Sequence, residues 1–320
     1  MPKVPIIDLH CDTATKILDG RSLYENNGMI SIAKMREAGV LCQFFAMFIR
    51  MPEYGSVDAA FLQIRKIHAN FTGELEKYPE HIALAHNAAG IAANREAGKI
   101  SAILTVEEGG VLDNKPERLD ELYEMGVRLV TLTWNFENCL GFPRSTEQEA
   151  MSRPLKPFGL EAVRRMLELG MIVDVSHLSD GGFWDVAKLA AEHGKRPFVA
   201  SHSNARSVHN HPRNLTDEML KTLANAGGVA GINFFPRFLG DEEKGTVERI
   251  ISHIKHIHKA AGIDAIAIGS DFDGFDDTNE ISDCSKFYLL TDALSKAAYS
   301  EEEIEKICWK NAMRVIEQAL

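Results

Sequence analysis

The chain predicts an α/β fold, a closed (β/α)8 barrel of the TIM type. Eight short apolar runs of strand character recur along its 320 residues, longer stretches of helical period separate most of them, and several of those stretches stop on a Gly just before the next run. The first run, 4–10, is Val-Pro-Ile-Ile-Asp-Leu-His, a buried strand almost at the N-terminus. The second is 39–48, followed by a helical pattern over 57–77. The third, 101–106, precedes a helix at 116–125, and the fourth is 127–133. A helix at 159–169 leads into the fifth strand, 170–176, and helices at 180–193 and 216–226 flank the sixth strand, 197–201. The seventh and eighth strands are 227–233 and 265–270, with a helix over 244–261 between them and a last helical stretch near 301–319. Gly39, Gly126 and Gly170 read as helix stops. An open doubly wound sheet is the alternative, but no Gly-x-Gly-x-x-Gly follows the first strand, which lowers a dinucleotide-binding reading.

Composition sets the class. Hydrophobic residues make up 45% and charged residues 25%, ordinary for a water-soluble globular chain. The net charge of −11 is spread along the chain, which argues against a nucleic-acid partner. The five cysteines have no close spacing, so neither a disulfide framework nor a zinc ribbon is expected. The N-terminal stretch lacks an apolar leader and no run is long enough to span a bilayer, so the expectation is a cytoplasmic protein with no membrane partner. With no linker or internal repeat, residues 1–320 read as one barrel domain, and the polar, Gly- and Pro-containing connection 135–158 as a loop over the site.

Barrel chemistry sits at the C-terminal ends of the strands. Here those ends carry His10 and Asp12; the pair Glu107-Glu108 before Gly109-Gly110; His177; His202; and Asp271 with Asp273. Three histidines and several carboxylates gathered at one mouth would be costly to desolvate unless a cation joined them. Imidazole and carboxylate without thiolate suit zinc, and also manganese, cobalt or iron. Five ligands exceed the three of a mononuclear catalytic zinc and suit two metals sharing a carboxylate, which together activate a water.

These residues and their surroundings resemble the membrane (renal) dipeptidase family of zinc peptidases, within the amidohydrolase-like barrels. The matching segments are Asp8-Leu9-His10-Cys11-Asp12, Val106-Glu107-Glu108-Gly109-Gly110, Leu155-Lys156-Pro157-Phe158-Gly159 and Asp174-Val175-Ser176-His177. Ser201-His202-Ser203, Pro212-Arg213-Asn214, Ser270-Asp271-Phe272-Asp273-Gly274 and Asn311-Ala312-Met313-Arg314 continue the match in order. The resemblance implies two zinc ions per chain. His10 and Asp12 would bind one, His177 and His202 the other, and Glu108 would bridge both, with Glu107 its outward neighbour. Arg213 would hold the substrate's C-terminal carboxylate, and Asp271 would face the bridging water and the substrate amine, with Asp273 able to share its face. The implied activity is hydrolysis of dipeptides with a free C-terminal carboxylate, L-L and L-D, by a possible homodimer.

Two departures bear on substrate. Trp134 stands where the family has a substrate-facing histidine, and an indole donates a hydrogen bond but accepts none. Phe235 replaces a tyrosine. Trp134 motivates an alternative, a two-metal hydrolase of N-acyl amino acids or related amides. A non-catalytic metal-binding barrel would lack a ligand or Asp271, and all six positions are filled. His253, His256 and His258 read as packing or surface residues of a helix, His209 and His211 as loop residues near the mouth, and Cys11 as a small buried residue facing away from the metals.

Overall fold

The eight strand runs close on themselves in the computed structural model, which describes residues 4–241 and 243–320. Residues 1–3, part of the stretch expected to carry no leader, lie outside the described residues. The strands are β1 (Ile6–Asp8), β2 (Val40–Phe48), β3 (Ile82–Leu84), β4 (Ile100–Glu107), β5 (Val127–Thr131), β6 (Ile172–Asp174), β7 (Val199–Ala200), β8 (Val229–Ile232) and β9 (Ile266–Ile268). Eight of them form a parallel ring in the order β2-β1-β9-β8-β7-β6-β5-β4, closed by pairing of β2 with β4. Each predicted run overlaps one ring strand, and β4 extends one residue beyond its run of 101–106 at either end, to Ile100 and Glu107. The ninth strand, β3, was not expected: its three residues pair with Ile100–Ala102, on the β4 edge that β5 takes further along. Three residues are too few to show a period.

Strand alternation sorts the residues into two cores. Ile7, Phe44, Ile103, Leu129, Ile172 and Val199 fill the barrel interior, and the C-terminal helix Asn311–Ala319 adds Ala312, Val315 and Ile316 to that core. Phe45, Met47, Leu104, Val106, Val130 and Val173 face the helical layer. Each such side chain, fully buried, contributes about 1.5–3 kcal/mol. The helical layer follows the sequence reading at Val57–Glu76, Pro116–Glu124, Pro157–Leu169, Asp180–Glu192, Asp217–Asn225 and Val247–Ala261. The expected stretch 301–319 is broken by a π turn at Lys306–Lys310. Gly39, Gly126 and Gly170 all take the left-handed conformation that stops a helix. Helices at Ile32–Ala38, Ala88–Glu96 and Phe287–Lys296 were not foreseen. Ala88–Glu96 buries only Ile91, so it has no apolar stripe to read. Among the described residues no helix is long and apolar enough to cross a membrane, and all five cysteines are free.

Two close approaches shape the mouth. A Cβ on Gly231 or Gly269 would lie 1.9 or 1.7 Å from the Ser201 carbonyl oxygen, so only glycine lets this backbone enter the ring beside β8 and β9. Below the following loop, His253 accepts from the Ala205 amide at 3.2 Å and donates to the Leu239 carbonyl at 3.1 Å. This buried, neutral imidazole is packing, as the sequence indicated.

Gly269→Ala should therefore lower the unfolding free energy by about 3 kcal/mol through forced backbone displacement; a wild-type urea midpoint would contradict the close approach. Burial pushes the His253 imidazole down to about 4, whereas the unfolded chain titrates near pH 6.5. The unfolded state then binds more protons, so this contribution is complete above pH 6.5 and fades as the pH falls towards 4. His253→Gln should flatten the acid-side loss of stability by up to about 3 kcal/mol, read from urea unfolding across that pH range; an unchanged slope would exclude His253 as its source.

Candidate metal centre

His10 and Asp12 follow β1, Glu107 ends β4, His177 follows β6, His202 follows β7 and Asp271 follows β9. The ring brings all six together. His10 Nε2 lies 3.4 Å from Glu107 Oε2, 3.7 Å from Asp12 Oδ2 and 3.8 Å from Asp271 Oδ1. The other Glu107 oxygen, Oε1, lies 3.1 Å from His177 Nε2 and 3.5 Å from His202 Nε2. Those two imidazole nitrogens face each other at 3.0 Å. His177 and Asp271 both hold left-handed backbone, φ +67° and +64°, a strained choice for non-glycine residues that recurs at functional sites.

The central carboxylate is thus Glu107, and the position expected for Glu108 needs correcting. Ile103 points into the barrel while Ala102, Leu104 and Val106 point to the helices. Alternation puts Glu107 on the inner row and Glu108 on the outer. Glu108 accepts from the Gly110 amide at 3.0 Å, the Trp134 amide at 3.2 Å and the Asn138 side chain at 3.2 Å. It ties the loop after β5 to the end of β4. Gly110 makes room for it: a Cβ there would overlap Glu108 Oε1.

A second tier of polar groups orients the first, and sequence reasoning did not single it out. Asp174 accepts from Ser201 Oγ at 2.6 Å, and Ser201 Oγ lies 2.7 Å from His202 Nδ1. The hydroxyl proton goes to Asp174, so Nδ1 donates to the hydroxyl and Nε2 keeps its lone pair for the centre. Asn135 Oδ1 does the same for His177 Nδ1 at 3.2 Å. Asp8 accepts from Ser270 N and Oγ and from Gln43, stapling β1 to its neighbours. Asn233 donates to Asp271 Oδ2 at 2.9 Å. The available signal was an acid inside an otherwise apolar strand, Ile-Ile-Asp-Leu and Ile-Val-Asp-Val. Asp273 is structural, accepting from Thr13 Oγ1 at 2.6 Å and the Met29 amide at 2.7 Å. Cys11 is buried in the helix-facing core, as expected.

The charges suit a cation. Burial disfavours a charged His10, yet the carboxylates of Glu107 and Asp12 overcome it and hold the imidazole well above its usual range. Burial first, then nearby cationic side chains, hold His177 and His202 well below theirs, so both are neutral donors. Burial raises Glu107 to about 7 and Asp271 to about 6. His10 Nδ1 and Nε2, Asp12 Oδ1 and Glu107 Oε1 are buried without a hydrogen bond, an arrangement costing about 1–3 kcal/mol per group unless something else satisfies it. These donors fit a divalent metal.

Above the centre lies a cavity of about 520 Å³, lined among others by Asp12, Glu107, Trp134, Arg144, His177 and Asp271. Trp134 packs against Phe48 and Phe136, with ring centroids 4.9 and 5.7 Å away. Phe235 and His211 also line it. His209 instead pairs with Asp241 at 3.9 Å. Arg213 is buried behind the cavity rather than on its wall. The connection 135–158 contributes Asn135 and Arg144 and is bound to the loop after β6 through Arg144 N to His177 O and Ser179 N to Phe142 O.

The profile of the membrane dipeptidase family, peptidase family M19, matches residues 1–320. The chain belongs to that family. It is accordingly a metallopeptidase requiring a divalent metal. A dipeptidase of Clonostachys rogersoniana, verJ, is 33% identical over 272 residues, 84% of this chain and 67% of that protein. A protein encoded in the pqqA 5′ region of Klebsiella pneumoniae is 33% identical over 245 residues, covering 73% and 88%. Among solved structures, the fold matches a metallopeptidase of Rhodobacter sphaeroides liganded with a phosphinate mimic of L-Ala-D-Ala, with TM-score 0.86, 24% identity, and 99% and 100% of the two chains covered. It also matches the M19 dipeptidase AC, with TM-score 0.89, 24% identity and 99% of both chains.

For a member of this family, Glu107→Gln should weaken metal binding by more than the roughly 10–100-fold that loss of a merely orienting group costs, and Glu108→Gln by less. Metal content after dialysis, measured by mass spectrometry, decides; equal retention would remove Glu107 from the centre.

Proposed function

We propose that this chain hydrolyses dipeptides with a free C-terminal carboxylate, L-L and L-D, at a two-zinc centre held by His10, Asp12, Glu107, His177 and His202. The observation that carries this reading is Glu107, which turns one oxygen to His10 and the other to His177 and His202. A bound zinc pair would supply Lewis acidity, lowering the pKa of the attacking water and polarising the peptide carbonyl.

The chain's own residues do the rest. Asp271, held by Asn233, accepts the water's proton and returns it to the leaving amine. Asp271 Oδ2 is fixed by the amide, which leaves Oδ1 for that transfer. Asp271 also faces the substrate's ammonium group, and a cationic side chain opposite takes its carboxylate. The loop carrying Asn135 and Arg144 roofs the cavity and restricts water. The aromatic wall of Trp134 and Phe48 favours a second reading, hydrolysis of N-acyl amino acids, whose acyl group would lie against it.

Metal-loaded protein should cleave members of an L-L and L-D dipeptide panel with about two zinc ions bound per chain. Chelation should abolish turnover and zinc restore it. Asp271→Asn should lower kcat by roughly 10²–10⁴-fold with metal retained. Full metal occupancy without cleavage of any dipeptide would sink this reading, and cleavage of N-acyl amino acids instead would establish the second.

A further inference from the structure

Arg144 is a cation that the metal centre does not explain. Its side chain is partly buried and lines the cavity. Its one side-chain hydrogen bond among the described residues runs from Nη2 to Asn135 Oδ1, at 3.3 Å. Its Nε is buried with no partner. No described carboxylate pairs with it, and burial alone pulls its pKa below the usual arginine range. A desolvated cation without a counter-charge is costly and calls for an anion.

Arg213, the residue expected to grip the substrate's carboxylate, is placed differently. Its Nη1 donates to Ser203 Oγ and its Nη2 to the His202 carbonyl, both at 3.1 Å, and its guanidinium lies over the Phe238 ring at 5.1 Å. It is 3% exposed and not on the cavity wall. Arg144 and Arg213 share the lining of a narrow void of about 10 Å³ beside His177. Burial, and then the charge of Arg144, pull Arg213 down to about 10. Two guanidiniums side by side gain from one shared anion, and of the two it is Arg144 that stands on the cavity wall.

Position around the ring gives the pair a direction. β9 and β5 stand four places apart in the eight-strand order, as do β1 and β6. The carboxylates of Asp271 and Asp12 therefore face Arg144 across the mouth. A small zwitterion spans such a cavity with its ammonium at the acidic side and its carboxylate at the arginine. We propose that Arg144 binds the substrate's C-terminal carboxylate, from a position in front of Arg213. The assignment rests on the reading of a substrate with a free carboxylate, which dipeptides and N-acyl amino acids share. It also gives connection 135–158 a role in selectivity: its backbone is bound to His177 O at 2.7 Å, and Asn135 links the guanidinium to His177 Nδ1.

The test is calorimetric binding of a phosphinate dipeptide mimic to metal-loaded protein, as the free acid and as its C-terminal carboxamide. Wild type should prefer the acid by roughly 10–100-fold, the range of a charge-assisted hydrogen-bonded pair. Arg144→Met should bring that ratio near one by weakening the acid alone, and Arg144→Lys should restore part of it. An unchanged ratio in Arg144→Met, with the ratio lost in Arg213→Met, would overturn the assignment. Equal weakening of acid and amide would also overturn it, as the sign of a purely structural arginine. Whether any dipeptide is cleaved is read separately by turnover, so failure of the dipeptidase reading leaves the binding ratio interpretable.

Discussion

The structure is organised around the cost of burying charge at the end of a closed barrel. Three imidazoles and three carboxylates converge where Glu107 meets His10, His177 and His202. A carboxylate in such surroundings is driven towards its neutral form, and an imidazole likewise, unless each finds an opposite charge or a metal. The six groups stay together because they come from five strand ends of one rigid ring, so that they cannot move apart to reach water.

The tier beneath solves the same problem without metal. Asp8 and Asp174 are fully buried, yet each carboxylate is saturated by amides and serine hydroxyls of neighbouring strands. They act as staples and, through Ser201, set which nitrogen of His202 faces the centre. The close passage of Ser201 against Gly231 and Gly269 belongs to the same device, since a bulkier neighbour would displace the serine that joins Asp174 to His202. Site and scaffold are therefore one hydrogen-bonded unit. The cavity above is lined by charges of both signs, with Arg144 on the loop after β5 and Asp12, Glu107 and Asp271 at the centre.

Much of this was legible in the residues. Each ring strand overlaps an apolar run, because a strand buried on both faces needs little but β-branched and aliphatic side chains. His10, Asp12, His177, His202 and Asp271 were found because polar residues that interrupt such runs at their C-terminal ends must share the mouth once the ring closes. Motif resemblance points to Glu108, whereas strand parity points to Glu107. Ser101, Thr105 and Glu107 share one face of β4, and Ala102, Leu104 and Val106 the other. β3 and the helix at Ala88–Glu96 escaped because they are too short, or bury too little, to leave a period.

The sequence by itself determined the architecture and the inventory of chemistry, since alternation, helix stops and strand-end residues are local properties of the chain. It also carried the family, through motifs spread from Asp8 to Arg314. Only the tertiary structure decided which groups meet. Arg213 is drawn behind the wall by Ser203, His202 and Phe238, and Arg144 reaches the cavity because its loop is bound to the backbone of His177. These are contacts between residues distant in sequence, and no local preference encodes them.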